Sequence, residues 1–138
     1  MTDAFILHHY DRSPYAEKVR LMFGVTHSEW QSLLSPPWPP RPNVDPLAGG
    51  YRRIPVAQCG ADIFCDSAVI AEEVAQRTAC QALSPYGLND ADQSLVSLAE
   101  GEAFFSAIVA VPKLRALTTM LMAFGPFGLS RFMKDRAS

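Results

Sequence analysis

Apolar residues follow two rhythms in the first half of the chain, and each rhythm predicts a different kind of element. "AFILHHY" at residues 4–10 is a short bulky run of the kind that forms a buried strand. Just after it, Tyr15, Val19, Met22 and Phe23 fall at i, i+4, i+7 and i+8, one stripe of a helix, with Glu17, Lys18 and Arg20 on other faces. Ser13 stands at the expected N-cap, Pro14 at the first helical position and Gly24 where a stop belongs. "SEWQSLL" at 28–34 reads as a second strand. "IPVAQCGADIFCD" at 54–66 reads as a hairpin turning at Gly60. Asp66 and Ser67 then open "AVIAEEVAQR", a helix whose Ile70, Ala71 and Val74 can face a sheet while Glu72, Glu73 and Arg77 face water.

Between the second strand and the hairpin, "SPPWPPRPNVDP" holds six of the eleven prolines. Prolines this dense lack amide donors and predict an extended, stiff surface connection. "LSPYGLND" at 83–90 has linker composition. From Ala91 the pattern is helical only: one helix over residues 91–111, then a piece broken by "GPFG" at 125–128. A strand–helix–strand unit followed by a hairpin and a closing helix packs as one mixed sheet with helices on its faces.

Composition narrows the function classes. The chain of 138 residues is 49% hydrophobic and 19% charged, which is globular rather than disordered. A net charge of -2 supplies no field for nucleic acid or an anionic membrane. The start, "MTDAFILHHYD", has an acid where a secretion signal wants basic residues. "AFFSAIVAV" at 103–111 is apolar but shorter than the about 20 residues a spanning helix needs, so it reads as buried helix and not as a membrane anchor. Cys59, Cys65 and Cys80 are odd in number, without C-x-x-C spacing or nearby histidines, which points to reduced cytoplasmic thiols rather than a disulfide frame or zinc. His8 and His9 alternate faces of their strand, and no acid–histidine spacing beside them makes a metal or triad site.

Three motifs, in this order and at these distances, carry a resemblance: "SPYAEKVRLMFG" from Ser13, "GGYRRIPVAQ" around Pro55 and "DSAVIAEEV" from Asp66. Together they resemble the glutathione transferase superfamily in its serine-type form. The resemblance implies a thioredoxin-like α/β domain (βαβ then ββα, mixed sheet) over residues 1–82, a linker at 83–90 and, over 91–138, the beginning of the family's all-helical C-terminal domain. It also implies glutathione as co-substrate, with no metal.

The same resemblance gives the residues roles, each beside an ordinary structural alternative. Ser13 takes the position from which serine-type members stabilise the glutathione thiolate; an ordinary helix cap is the other reading, and Tyr10, near the end of the first strand, is the alternative catalytic residue. The energetics allow it. A free thiol is about 3% thiolate at pH 7, and lowering its pKa two units takes about 2.7 kcal/mol. One hydrogen bond to a charged group contributes about 1.5–3 kcal/mol, and a helix N-terminus about 0.3–1. Pro55 implies a cis Ile54–Pro55 bond that offers the main chain of Ile54 to glutathione's cysteinyl unit, like an added strand. Asp66 and Ser67 imply an anion site for the γ-glutamyl carboxylate, with the acid holding the α-amino group, or else a double N-cap. Most members have Glu where this chain has Asp66. Arg53 matches the basic position before the residue–proline pair, and Arg41 and Arg52 are further candidates for the glycyl carboxylate, or solvent-exposed arginines. Tyr15, Trp30 and Trp38 read as packing.

The helical segment bears on activity. In the family, this part supplies most of the pocket for the electrophilic substrate, and residues 91–138 are too few for a full bundle. "FFSAIVAV" and "MLMAFGPF" would expose apolar surface unless covered. Truncation of a longer protein is the favoured expectation, homodimerisation is the family's habit, and packing on another subunit is the third option. The expected function is a glutathione transferase-like enzyme that stabilises the thiolate for attack on a small electrophile. The alternative is a non-catalytic glutathione-binding or assembly module that uses its helical tail as an interface. A thioredoxin-like redox role is disfavoured, because no cysteine stands at Ser13.

Overall fold

The computed structural model describes residues 4–137; Met1–Asp3 and Ser138 lie outside the described residues. It divides into two units, Met1–Gly87 and Leu88–Ser138. In the first, strand β1 (Phe5–His9) leads to helix α1 (Pro14–Val25), β2 (Trp30–Leu34), the hairpin β3 (Val56–Cys59) and β4 (Asp62–Cys65), then helix α2 (Ser67–Thr78) and a short 3-10 turn at Gln81–Leu83. The sheet order is β2-β1-β3-β4. β1 runs parallel to β2 and antiparallel to β3, and β3 is antiparallel to β4, the thioredoxin-like mixed sheet that the element order predicts. Gly60 makes the hairpin turn at φ 59°, a conformation that costs a residue without Cβ little.

Alternation along the strands assigns the two faces of the sheet. Phe5 and Leu7 of β1, with Ala57 and Cys59 of β3, pack against Val19 and Phe23 of α1 and Ile70 and Val74 of α2. Trp30 stacks on Phe23 with ring centroids 5.6 Å apart, and Phe5 lies 5.0 Å from the same ring. The stripe on α1 differs from the expected one. Ala16, Val19 and Phe23 are its buried residues, while Tyr15 is 40% exposed and not core. The buried stripe runs at i, i+3 and i+7 from Ala16, so it shares Val19 and Phe23 with the expected one but leaves Tyr15 outside.

Gly24 is not the stop either. The helix passes through it to Val25, because Thr26 spends both its amide (3.0 Å) and its hydroxyl (2.8 Å) on the Met22 carbonyl. The left-handed residue that follows is His27, at φ 53°.

The proline-rich stretch is also not a simple extended connection. From Arg41 the chain folds into helical turns, with Asp45 N bonded to Arg41 O and Ala48 N to Val44 O, both at 2.9 Å. Val44 and Ala48 thereby cover Val56 on the second face of the sheet. Only its first part is proline-dense enough to forbid such turns.

The second unit holds α3 (Asp90–Glu100), α4 (Glu102–Ala110) and α5 (Lys113–Ala137). The single helix expected over 91–111 is two, broken at Gly101, whose ψ of -105° is not helical. α5 kinks at Gly125 (φ 67°) ahead of Pro126, as "GPFG" predicts. Its Met122 and Phe127 are each 87% exposed within the described chain. No helix among the described residues is long and apolar enough to cross a membrane.

Candidate functional site

Strand register places the three motifs at one end of the sheet. His8 of β1 pairs with Val56 of β3, and Val56 pairs with Cys65 of β4. Just beyond that row the chain continues as the turn to Ser13, as Ile54–Pro55 entering β3, and as Asp66–Ser67 leaving β4. The N-termini of α1 and α2 therefore open at the same edge, where unpaired amides and the helix dipoles favour negative charge.

Ser13 is 2% exposed, and its Oγ accepts from Ala16 N at 3.2 Å, so it is a true N-cap. That bond uses only acceptor capacity; the hydroxyl hydrogen remains to be donated. Tyr10 lies half-buried where β1 has ended. The Ile54–Pro55 peptide is cis. Ile54 lies two residues outside the paired rows of both β1 and β4, with its main chain beyond the ladder.

Asp66 caps α2 from φ 83°, ψ 137°, a region that residues other than glycine rarely take. Its Oδ1 accepts from Ala68 N at 2.9 Å and its Oδ2 from the Tyr51 hydroxyl at 3.4 Å. A carboxylate has about four lone-pair sites, so these two bonds leave capacity for an ammonium group. Ser67 is the first residue of α2 and half-buried. Burial and the Asp66 carboxylate push the Tyr51 hydroxyl's pKa up, while the charge of Arg53 opposes them. The same two causes raise the pKa of the adjacent Cys65 thiol, which disfavours its thiolate. Tyr51 is the site residue that sequence reasoning missed; only its place two residues before Arg53 hinted at it.

The arginines separate. Arg53 is exposed and close enough to Tyr51 to act on it. Arg52 is exposed, and its carbonyl is used internally. Arg41 is 1% exposed and is not placed to serve a ligand's carboxylate. Its Nε donates to Asp45 Oδ1 at 2.8 Å, its NH1 to the Arg52 carbonyl at 2.7 Å and its NH2 to the Tyr51 carbonyl at 3.4 Å. Asp45 also accepts from the Arg41 amide at 2.7 Å. Burial acts to raise the Asp45 carboxyl, but these bonds from Arg41 outweigh it and hold the pKa below the usual range. Arg41 thus ties the proline-rich segment to the chain entering β3.

Two histidines lie under the site. His8 is 2% exposed, and among the described residues neither ring nitrogen has a partner at hydrogen-bonding geometry. Burial lowers its pKa, opposed in part by the nearby Gln58 side chain. His9 bonds through Nε2 to Ser32 Oγ at 2.7 Å and through Nδ1 to Arg20 NH1 at 2.8 Å. Burial, then the Arg20 charge, lowers its pKa. Both folded-state values lie below the free value of about 6.5. The unfolded chain therefore binds protons that the folded chain refuses. The histidine contribution to stability is intact above about pH 6.5 and is lost progressively as pH falls through the folded values. Denaturant melts between pH 7.5 and 5 are expected to show the first unit weakening. A His8→Phe variant is expected to show a smaller decline, and an identical slope in that variant would show that His8 contributes nothing to it.

Comparison with known proteins agrees with this architecture. The family model described as "Glutathione S-transferase, N-terminal domain" matches residues 7–82, and the chain belongs to that family. A solved GST-like protein from Pseudomonas syringae is 40% identical over 80% of this chain, with a TM-score of 0.68. The match covers 41% of that structure, so the chain spans less than half of its length. The tau-class glutathione S-transferase of mango, Mangifera indica, is 17% identical over 56% of this chain and 35% of its own, with a TM-score of 0.52. A glutathione S-transferase of the hookworm Necator americanus, described as monomeric, is 20% identical over 96% of this chain and 59% of its own, with a TM-score of 0.51. The last two share the fold. Among curated proteins, none matches.

Proposed function

We propose that the chain binds glutathione at the sheet edge between Ser13, Ile54–Pro55 and Asp66–Ser67, and favours its thiolate for attack on a small electrophile. The observation that carries this is the Ser13 hydroxyl, which spends its acceptor side on the helix it caps and keeps its hydrogen at the N-terminus of α1. A thiolate there would receive that hydrogen and the field of the helix end, together the size of the stabilisation a two-unit pKa shift needs, about 2.7 kcal/mol.

The other contacts fit an extended γ-linked tripeptide. Ile54 offers main-chain groups outside the ladder. The first turn of α2 and Ser67 receive the γ-glutamyl carboxylate, Asp66 the α-amino group and Arg53 the glycyl carboxylate. Three free cysteines suit a reducing cytoplasm. Apolar side chains on α3 and α5, among them Leu95, Leu98, Leu117 and Phe127, favour a homodimer, and equally a non-catalytic assembly module that uses those helices as its interface.

Calorimetric titration with glutathione tests the site, and conjugation to a generic aryl halide separates the enzyme from the module. Asp66→Ala is expected to weaken glutathione binding about tenfold, the loss of one charged hydrogen bond. A chain that takes up no glutathione at large excess, or binds equally well without Asp66, overturns the proposal. Binding without turnover favours the module.

A further inference from the structure

The turn from β1 to Ser13 is held from below by a contact that the thiolate chemistry does not itself require. A guanidinium has only donors, so the 2.8 Å contact between Arg20 NH1 and His9 Nδ1 requires a lone pair on Nδ1. His9 is therefore neutral, with its proton on Nε2, and donates it to Ser32 Oγ at 2.7 Å. Arg20 is fixed in turn by Glu17, to which Nε donates at 2.8 Å, with a second bond from NH2. The same NH2 reaches the Asp11 carbonyl at 3.4 Å, two residues before Ser13. A single side chain thus joins the end of β1, the turn and the second turn of α1.

We propose that neutral His9 is a positioning residue: by accepting from Arg20 it sets the residues 10–13 turn, and so aims the Ser13 hydroxyl at the bound thiol. The aiming role rests on the glutathione site proposed above; the setting of the turn does not. The groups facing the His9 ring are Arg20 and Glu17 from α1, Asp11 and the Tyr10 main chain from the turn, and Ser32 and the Trp30 ring, 6.3 Å away, from β2. Protonating Nδ1 sets a donor against a donor and a cation against a cation. Arg20 must then leave, and the clamp on the Asp11 carbonyl goes with it.

Two measurements test this. Without ligand, nitrogen-15 NMR should show His9 as the Nε2–H tautomer at pH 7.5. Amide exchange at residues 10–13 should quicken in Arg20→Met and His9→Leu. In His9→Asn, whose Oδ1 can accept from Arg20 in place of Nδ1, it should remain near wild type. A His9 that is charged or Nδ1-protonated at pH 7.5, or exchange unchanged in all three variants, overturns the inference.

With glutathione, the bound thiol's pKa is read from ultraviolet thiolate absorbance. It should rise by about one unit in Arg20→Met and His9→Leu, a tenfold loss of thiolate preference, with the dissociation constant of glutathione nearly unchanged. Wild type should lose thiolate preference on acidification before His9→Asn does, since asparagine does not titrate. A thiol pKa that is lowered in wild type and unmoved in the variants overturns the aiming role alone. A thiol that is not lowered even in wild type overturns the glutathione reading and the aiming role with it, while the exchange result decides whether His9 sets the turn.

Discussion

Ser13→Ala is expected to lower kcat/KM for conjugation of glutathione to an aryl halide by roughly 10- to 100-fold, with a much smaller change in glutathione affinity. A hydrogen bond to a charged group contributes about 1.5–3 kcal/mol, and each 1.36 kcal/mol or so is one decade in rate. The effect should fall on reactivity because, in the proposed binding mode, glutathione would keep its other contacts at Ile54, Arg53 and the α2 N-terminus. Ser13 also caps α1 through Ala16 N, so the variant should lose about 1 kcal/mol of stability. Activity is therefore measured well below the melting point, beside a thermal melt. Full activity in a folded Ser13→Ala protein would reduce Ser13 to a cap and make Tyr10→Phe the next variant to assay.

The second large effect concerns stability. Arg41→Met is expected to destabilise the first unit by about 3 kcal/mol, because it removes the buried partner of an ion pair and the donors of two carbonyls together. For a unit of this size that is a fall in melting temperature of about 15 °C. Arg41→Lys should recover only part of the loss, since one ammonium cannot span Asp45 and the carbonyls of Tyr51 and Arg52 as a planar fork does. Glutathione affinity should fall with it, as the chain entering β3 loosens. A melting temperature within about 2 °C of wild type would mean that Arg41 does not brace this segment.

Much of the fold was legible because local chemistry and tertiary packing agree. Ser13 and Pro14 open α1 by their own geometry, Gly60 turns the hairpin, and Asp66 caps α2. Where the two disagree, packing won. Tyr15 belonged to a plausible apolar stripe, but Ala16 is the residue buried there and Tyr15 is left 40% exposed. Gly24 carried the residue type of a helix stop without its conformation, because Thr26 could satisfy the Met22 carbonyl one turn further on. Arg41 was the least legible. A charged residue among prolines looks exposed, and its burial depends on two carbonyls ten and eleven positions away.

By itself, the order of residues determined that a strand, a capped helix, a hairpin and a second capped helix would form, because caps, turns and periodicity act within a few positions of one another. It also supplied the three motifs from which the candidate site is proposed. Only the tertiary structure decided that Tyr51 would meet Asp66, that Arg41 would be spent on the carbonyls of Tyr51 and Arg52, and that His9 would be held neutral between Arg20 and Ser32. Those contacts join residues from separate segments of the chain. Their bonds exist only once the sheet's register has brought those segments to one edge, and no local pattern of residues encodes that distance.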